Sequence, residues 1–293
     1  MSLVGIYVGL SKSLVSVFPV LLIAWLRYSI AIPPMLPWLK RQPGEAPMSM
    51  ANNALIALSS FIGSFLFTLC TLTGVKMASA LSAGIIMAGI PAAVALFSII
   101  FLKERITLRV LLAILCAVCG IALLAFANLS TAPENDASSS SQWETLIGHL
   151  LLIIGVFCEA TYVVIGKRLA NHVSPQRICA YLNLWGWIFS LPFGVYLVLQ
   201  FDFTPVHWQH WALLVFYSFA AGIFSVWAWM TGLKNIPASS AGIFTIMLPI
   251  TATLVGVILG EHFSLMHGIA LLLALFGIAL ATWPKKGFKH RLT

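Results

Sequence analysis

Thr73-Gly74-Val75-Lys76 recurs 158 positions later as Thr231-Gly232-Leu233-Lys234, and the match extends in both directions from that pair. Downstream, Ala80, Gly84 and Pro91 fall on Ala238, Gly242 and Pro249; Glu104 and Gly120 then fall on Glu261 and Gly277 after a one-residue slip. Upstream, Pro19, Ala24 and Arg27 lie over Pro175, Ala180 and Asn183 at a spacing of 156, and Tyr7 and Lys12 lie over Tyr162 and Lys167 at 155. A register that drifts by three residues over most of each half marks a duplicated chain.

What is duplicated is apolar. Of the 293 residues 60% are hydrophobic and 8% charged, with a mean hydropathy of +1.00, against roughly 25% charged residues in a soluble domain. Apolar stretches long enough to cross a hydrocarbon core roughly 30 Å thick run near 20–38, 54–75, 79–102, 107–126, 146–169, 177–200, 209–232, 238–259 and 264–283. With a shorter segment ahead of Lys12 they make ten. The expected fold class is therefore an all-α integral membrane protein of ten transmembrane helices, arranged as repeats over 1–127 and 146–293 joined by a linker over 128–145. The repeat partner of the short segment begins near Leu146, so a full first helix is expected to start about ten residues before Met1, and the first helix reads as truncated. No basic leader or small-residue cleavage site suggests a signal peptide.

Lys and Arg set the orientation. With a cytoplasmic N-terminus and ten alternating helices, thirteen of the sixteen basic residues, from Lys40 and Arg41 to Arg291, fall on the cytoplasmic side with both termini. The outer loops hold Lys76; Lys12 lies near the outer end of the first helix and Arg27 inside the second. The net charge of +8 thus reflects the positive-inside bias of a multi-pass protein of the cell (inner) membrane, and no nucleic-acid partner is expected. Five helices per repeat is an odd number, so the second copy lies inverted relative to the first, the architecture of alternating-access transporters.

Residues 128–144 carry four consecutive serines, Pro133 and three acidic side chains, and read as a disordered outer linker. Asn128-Leu129-Ser130 matches a glycosylation sequon, a weak pattern. Cys70, Cys116, Cys119, Cys158 and Cys179 all fall in apolar spans, as small packing residues rather than disulfide partners or metal ligands. No metal and no cofactor is expected.

One acidic residue lies well inside a span: Glu159, about thirteen residues into 146–169. A carboxyl at that depth costs roughly 2.5–3.5 kcal/mol to insert and must face a cavity, meet a partner or carry a proton. It reads either as a protonation switch and anchor for a substrate amine, or as a protonated structural group bonded to a neighbouring helix. Tyr162 and Gly166 follow on the same helical face; Tyr162 stacks on a ligand or fills packing space. Arg27 and its partner Asn183 form the other deep polar pair, and structural roles are favoured for both, Arg27 lying within snorkelling reach of the outer end. Ser60, Ser64 and Thr68 make a stripe at i, i+4 that serves helix packing or lines a cavity. The partner helix offers Gly222, Ser225 and Trp229 on one face, with Trp227 beside it. Tryptophan here forms an aromatic wall for a planar or cationic ligand, or marks an interface. Pro91 and Pro249 occupy equivalent points, each seven residues after a glycine, Gly84 and Gly242; such paired breaks point to a binding site and its hinge, or to fixed kinks. Gly256 and Gly260 form a GxxxG suited to helix packing.

Trp25-Leu26-Arg27-Tyr28, the turn Leu102-Lys103-Glu104-Arg105-Ile106-Thr107-Leu108, its second copy Leu259-Gly260-Glu261-His262-Phe263-Ser264-Leu265, and the tails Gly120-Ile121-Ala122-Leu123 and Gly277-Ile278-Ala279-Leu280 resemble the ten-helix EamA-type branch of the drug/metabolite transporter superfamily over essentially the whole chain. The resemblance implies inverted five-helix repeats, a cavity lined by helices 1, 3, 4, 6, 8 and 9, and export of metabolites or drugs. Glu159 stands where many members of that family carry a tryptophan.

These readings converge on a secondary transporter, not an enzyme, exporting small metabolites such as amino acids, driven by proton exchange or simply by the substrate gradient. Glu159, Tyr162, Trp229, Thr68, Ser64 and Ser225 are the expected substrate contacts, and Pro91, Pro249, Gly84 and Gly242 the gates. No nucleotide-binding loop is present. An intramembrane enzyme would need a nucleophile with its base, but His149 lies nearly three turns from Glu159. A non-transporting binding or assembly subunit draws support only from the short first helix. Oligomeric state is open.

Overall fold

The computed structural model describes residues 1–41, 45, 47–102, 112, 115–116, 119, 139–170, 172–235, 247–260 and 265–282, and every regular element among them is helical. In order they are α1 (Ser2–Val15), α2 (Val20–Met35) with a 3-10 turn at Leu36–Leu39, α3 (Met50–Met77), α4 (Ala80–Met87), α5 (Ile90–Leu102), α6 (Ser139–Ala170), α7 (Pro175–Gln200), α8 (Trp208–Lys234), α9 (Met247–Ile258) and α10 (Leu265–Thr282). Five are long and apolar enough to cross a membrane: Val20–Leu39, Met50–Met77, Gln142–Ala170, Pro175–Gln200 and Trp208–Lys234.

Local chemistry sets the helix ends. Ser49 Oγ accepts from Asn52 N at 3.1 Å and Ser79 Oγ from Ser82 N at 2.9 Å, capping α3 and α4. Pro175 opens α7 at a position where its missing N–H has no helical partner to lose. Pro33 and Pro34 close α2.

The stretch 79–102, expected as one helix, is two. Ahead of Pro91, Ala88 N donates to Ile85 O (3.2 Å) and Gly89 N to Ile86 O (3.0 Å), a tightening to i−3 bonds, and α5 starts at Ile90. Pro91 supplies no N–H to Met87, so the α-helical ladder cannot run through. The linker is also shorter than expected: α6 begins at Ser139, so residues 139–145 are helical, because a helix nucleated by the apolar run extends outward cheaply. Nor does the GxxxG hold as a packing face. Gly256 is buried, but Gly260 is exposed and turns the chain at φ 85 just past α9, a conformation open to glycine. Most of the 107–126 span, residues 128–138, Gly242, the turns carrying Glu104 and Glu261, and the basic tail from Lys285 lie outside the described residues.

α1 packs along α9, α6 along α3, α4 and α5, α2 along α7, and α4 against α9. One of these pairings, α2 with α7, joins helices that the sequence repeat makes equivalent; α9 overlies α5 in the repeat, so its contact with α4 does not. The interior holds Phe18, Leu22, Tyr28, Leu72, Ile86, Leu152, Ile178 and Met230, while Phe193, Tyr196 and Leu199 project outward.

Both α3 and α8 widen into π-helix midway, at Phe61–Leu66 and at Ser218–Phe224. Shifted by 158, the two segments overlie. A π turn displaces the i−4 ladder and frees backbone carbonyls, and is frequent at functional sites.

Candidate functional site

A cavity of about 480 Å³ opens where the two π segments meet α1, α2, α6 and α7. Its walls include Gly63, Ser64, Phe67 and Thr68 from α3 and Ala221, Phe224, Ser225 and Val226 from α8.

Glu159 reaches it from α6. It is 7% exposed and, among the described residues, its carboxyl makes neither a hydrogen bond nor an ion pair. One turn on, Tyr162 lies against α3 at Gly63, where an added Cβ would stand 3.1 Å from the Tyr162 ring and closer still to its Cβ. Glycine at 63 is what lets the Tyr162 side chain seat beside the widened turn. Tyr7 of α1 and Tyr217 of α8 meet edge to face at 5.1 Å and complete an aromatic wall with Trp229.

Arg27 enters from α2, 3% exposed. Its Nη2 donates to Ser64 Oγ (3.3 Å) and Thr68 Oγ1 (3.2 Å); its guanidinium lies 4.0 Å from the centroid of the Tyr28 ring and 6.0 Å from that of Tyr217. Tyr28 Oη and Ser64 Oγ share a hydrogen bond at 2.9 Å, and Thr68 Oγ1 donates to Ser64 O at 2.6 Å. At the equivalent place in the second half, Asn183 Nδ2 donates to Gly222 O at 2.8 Å and to Cys179 O at 2.9 Å, and Cys179 Sγ donates to Gly222 O at 3.3 Å. These bonds answer a carbonyl within the second π segment.

Among the described residues, four buried polar atoms of residues around the cavity have no protein partner: Arg27 Nε, Asn183 Oδ1, Ser225 Oγ and Trp229 Nε1. Buried polar groups are ordinarily paired, so their gathering around one cavity suits a polar ligand or bridging water.

All six residues expected to contact substrate, Glu159, Tyr162, Trp229, Thr68, Ser64 and Ser225, line this cavity, and so do Arg27 and Asn183. The hydroxyl stripe divides: Ser60 Oγ donates to Leu182 O at 2.6 Å and ties α3 to α7, while Ser64 and Thr68 face the cavity. Gly84 is buried in α4 and is not among the lining residues; Pro91 is the second residue of α5 and Pro249 the third of α9. Sequence reasoning missed Tyr217 and Phe67. It had the signal for Tyr7, which overlies Tyr162 in the repeat and lines the same cavity.

Away from the cavity, Glu45 Oε2 pairs with Arg177 Nη1 at 3.3 Å and Oε1 accepts from Ser174 N at 2.9 Å, fastening the segment before α3 to the start of α7.

The EamA-like transporter family profile matches residues 1–126 and 146–283. A protein of Bacillus subtilis (strain 168) named uncharacterized transporter YetK is 31% identical over 288 residues, spanning 98% of this chain and 85% of its own. Uncharacterized transporter YyaM of the same strain is 24% identical over 260 residues (88% and 83%), and an uncharacterized transporter of Archaeoglobus fulgidus is 23% identical over 263 (89% and 86%). A solved crystal structure matches with a TM-score of 0.60 at 20% identity, covering 96% of both chains, a likeness of fold.

Proposed function

This chain belongs to the EamA-like transporter family and is a multi-pass membrane transporter, and on that premise we propose that it is a secondary exporter of small metabolites such as amino acids, coupled to protons through Glu159. The observation that carries the proposal is the unpaired Glu159 carboxyl in a cavity of about 480 Å³, a volume in the range of small-molecule sites.

A carboxylate held away from water gains by acquiring either a proton or a cationic group. Glu159 exchanges one for the other: an ammonium group binds once the proton leaves, and a proton returns once the ammonium departs, which couples their opposite movements. Tyr162 and Trp229 hold the apolar part of the solute, and Ser64, Thr68 and Ser225 its polar edges. Residues 1–127 and 146–293 form inverted five-helix repeats, ten helices in all, joined outside by 128–145, with both termini at the cytoplasmic face of the inner membrane. The α2–α7 pairing supports this, because contact between equivalent helices is what a two-fold axis between repeats produces. Gly84 with Pro91, and Gly242 with Pro249, shape the gates.

The test is flux in proteoliposomes of labelled amino acids and organic cations, with and without a pH gradient, for the wild type and Glu159→Gln. Gradient-driven flux in the wild type that the variant loses supports the proposal. Equal, gradient-driven flux in both removes Glu159 from the coupling, and no flux for any solute removes the substrate assignment.

A further inference from the structure

We infer that Arg27 is the receptor for an anionic group of the substrate, so that this cavity selects bipolar solutes carrying both an oxyanion and an ammonium over plain organic cations. The inference rests on the transport reading above and adds to it the other end of the ligand.

Arg27 is a buried cation without a counter-charge. Among the described residues it joins no ion pair, and its hydrogen-bond acceptors are the neutral hydroxyls of Ser64 and Thr68. Hydroxyls satisfy N–H groups but do not neutralise a charge, and a charge kept from water ordinarily finds a counter-ion. The rings of Tyr28 and Tyr217 offset part of that deficit and hold the guanidinium plane in place.

Nη2 is therefore committed, whereas Nε has no partner and Nη1 makes no hydrogen bond among the described residues. Either parallel pair of donors on a guanidinium would need Nη2, so with Nη2 anchored it is Nη1 that remains to donate to an entering oxyanion, and a lysine ammonium, a single point of charge, cannot hold both hydroxyls and the anion in that fixed arrangement. The natural candidate inside the protein is Glu159, which lines the same cavity yet is not paired with it. Arg27 is left for something that enters, while Glu159 has the Met1 amino group on the same cavity wall within electrostatic range but no hydrogen-bonded or ion-paired partner among the described residues.

The sequence repeat sharpens the point. At the place equivalent to Arg27 the second half carries Asn183, which is neutral and spends its amide on the Gly222 and Cys179 carbonyls. At the place equivalent to Glu159 the first half carries Val4, also on the cavity wall. Supporting a π segment thus needs no positive charge, and each half contributes one charge of opposite sign. A duplicated scaffold has become a dipolar site.

The experiment compares each of the twenty common amino acids with its amide, its decarboxylated amine and its N-acetyl derivative, by flux and by competition in proteoliposomes of the wild type, Arg27→Gln and Arg27→Lys. The expected result is that the wild type prefers a free amino acid to its amide and amine by roughly ten- to a hundredfold, the range of a charged hydrogen-bonded contact. Arg27→Gln abolishes that preference while still moving the amine, and Arg27→Lys restores it only in part. Wild-type protein that moves amides and amines as well as acids overturns the inference and leaves the transport reading standing, with no reliance on a variant that fails to fold. Arg27→Gln that weakens acids and amines alike also overturns it, because a merely structural arginine gives that result. If neither acids, amides, amines nor acetyl derivatives move, the transport reading fails and the inference with it.

Discussion

Asn183 donates to the Gly222 carbonyl at 2.8 Å, and its repeat equivalent Arg27 meets Ser64, the residue that Gly222 overlies. The same pair of helices is therefore joined at the same level in both halves by different chemistry. In the second half the bond is structural, since it closes a carbonyl of the π segment deep in the protein. Asn183→Leu leaves that carbonyl without its amide partner and is expected to destabilise the protein by about 1–3 kcal/mol. Thermal unfolding in detergent reads this as a lowered midpoint. Asn183→Gln, whose longer amide meets the close-packed Gly222, is not expected to restore it.

Gly63 makes a second claim on geometry. A methyl group there meets Tyr162 at its Cβ and ring base, atoms that cannot swing away as a side-chain tip would. Gly63→Ala is expected to push α3 from α6, destabilise by about 1–3 kcal/mol, and reduce flux by displacing Tyr162 from the cavity wall. Gly232→Ala is the control, because nothing lies within 4 Å of the added Cβ; its unfolding midpoint should stay at the wild-type value or rise.

Glu45 brings charge to the first turn of another helix. Its carboxylate accepts from the Ser174 N–H and pairs with Arg177, two partners that favour the same place at the positive end of α7. Glu45→Gln keeps the shape and loses the charge, with an expected loss of about 1 kcal/mol or somewhat more. The difference between Glu45→Gln and wild type should vanish in an Arg177→Met background if the ion pair carries it, which a double-mutant cycle of melting temperatures measures.

The duplicated Thr-Gly-x-Lys run, the apolar spans and the deep Glu159 were legible because each follows from composition or period. The long helices α2, α3, α6, α7 and α8 accordingly stand where hydropathy put them. The π segments were not legible: no residue type demands a π turn, and Phe61–Leu66 reads as ordinary apolar helix until the neighbours that answer its ladder are known. Arg27 was visible as a charge, but the absence of its counter-ion is a fact of packing between α2, α3 and α6. Periodicity identified Ser60, Ser64 and Thr68 as one polar stripe; only the position of α7 separates Ser60, which bonds Leu182 O, from the two that face the cavity.

Pro91 stands where the chain changes from α4 to α5, with Ala88 and Gly89 held by i−3 bonds and Ala93 N donating to Gly89 O at 3.0 Å. An alanine at 91 regains an N–H that can donate to Met87 O, so Pro91→Ala is expected to let the two helices run together. If the break is a hinge, the variant becomes stiffer there and no less stable, while its maximal flux falls severalfold with little change in the substrate concentration at half-maximal rate, since the lost step is movement and not binding. Pro249→Ala should behave alike, because α9 starts at Met247, which overlies Gly89 in the repeat. Flux measured against substrate concentration separates the cases: wild-type maximal rates in both variants would mean that the prolines only fix the shape of the bundle, whereas a fall in one alone would place the hinge in a single half.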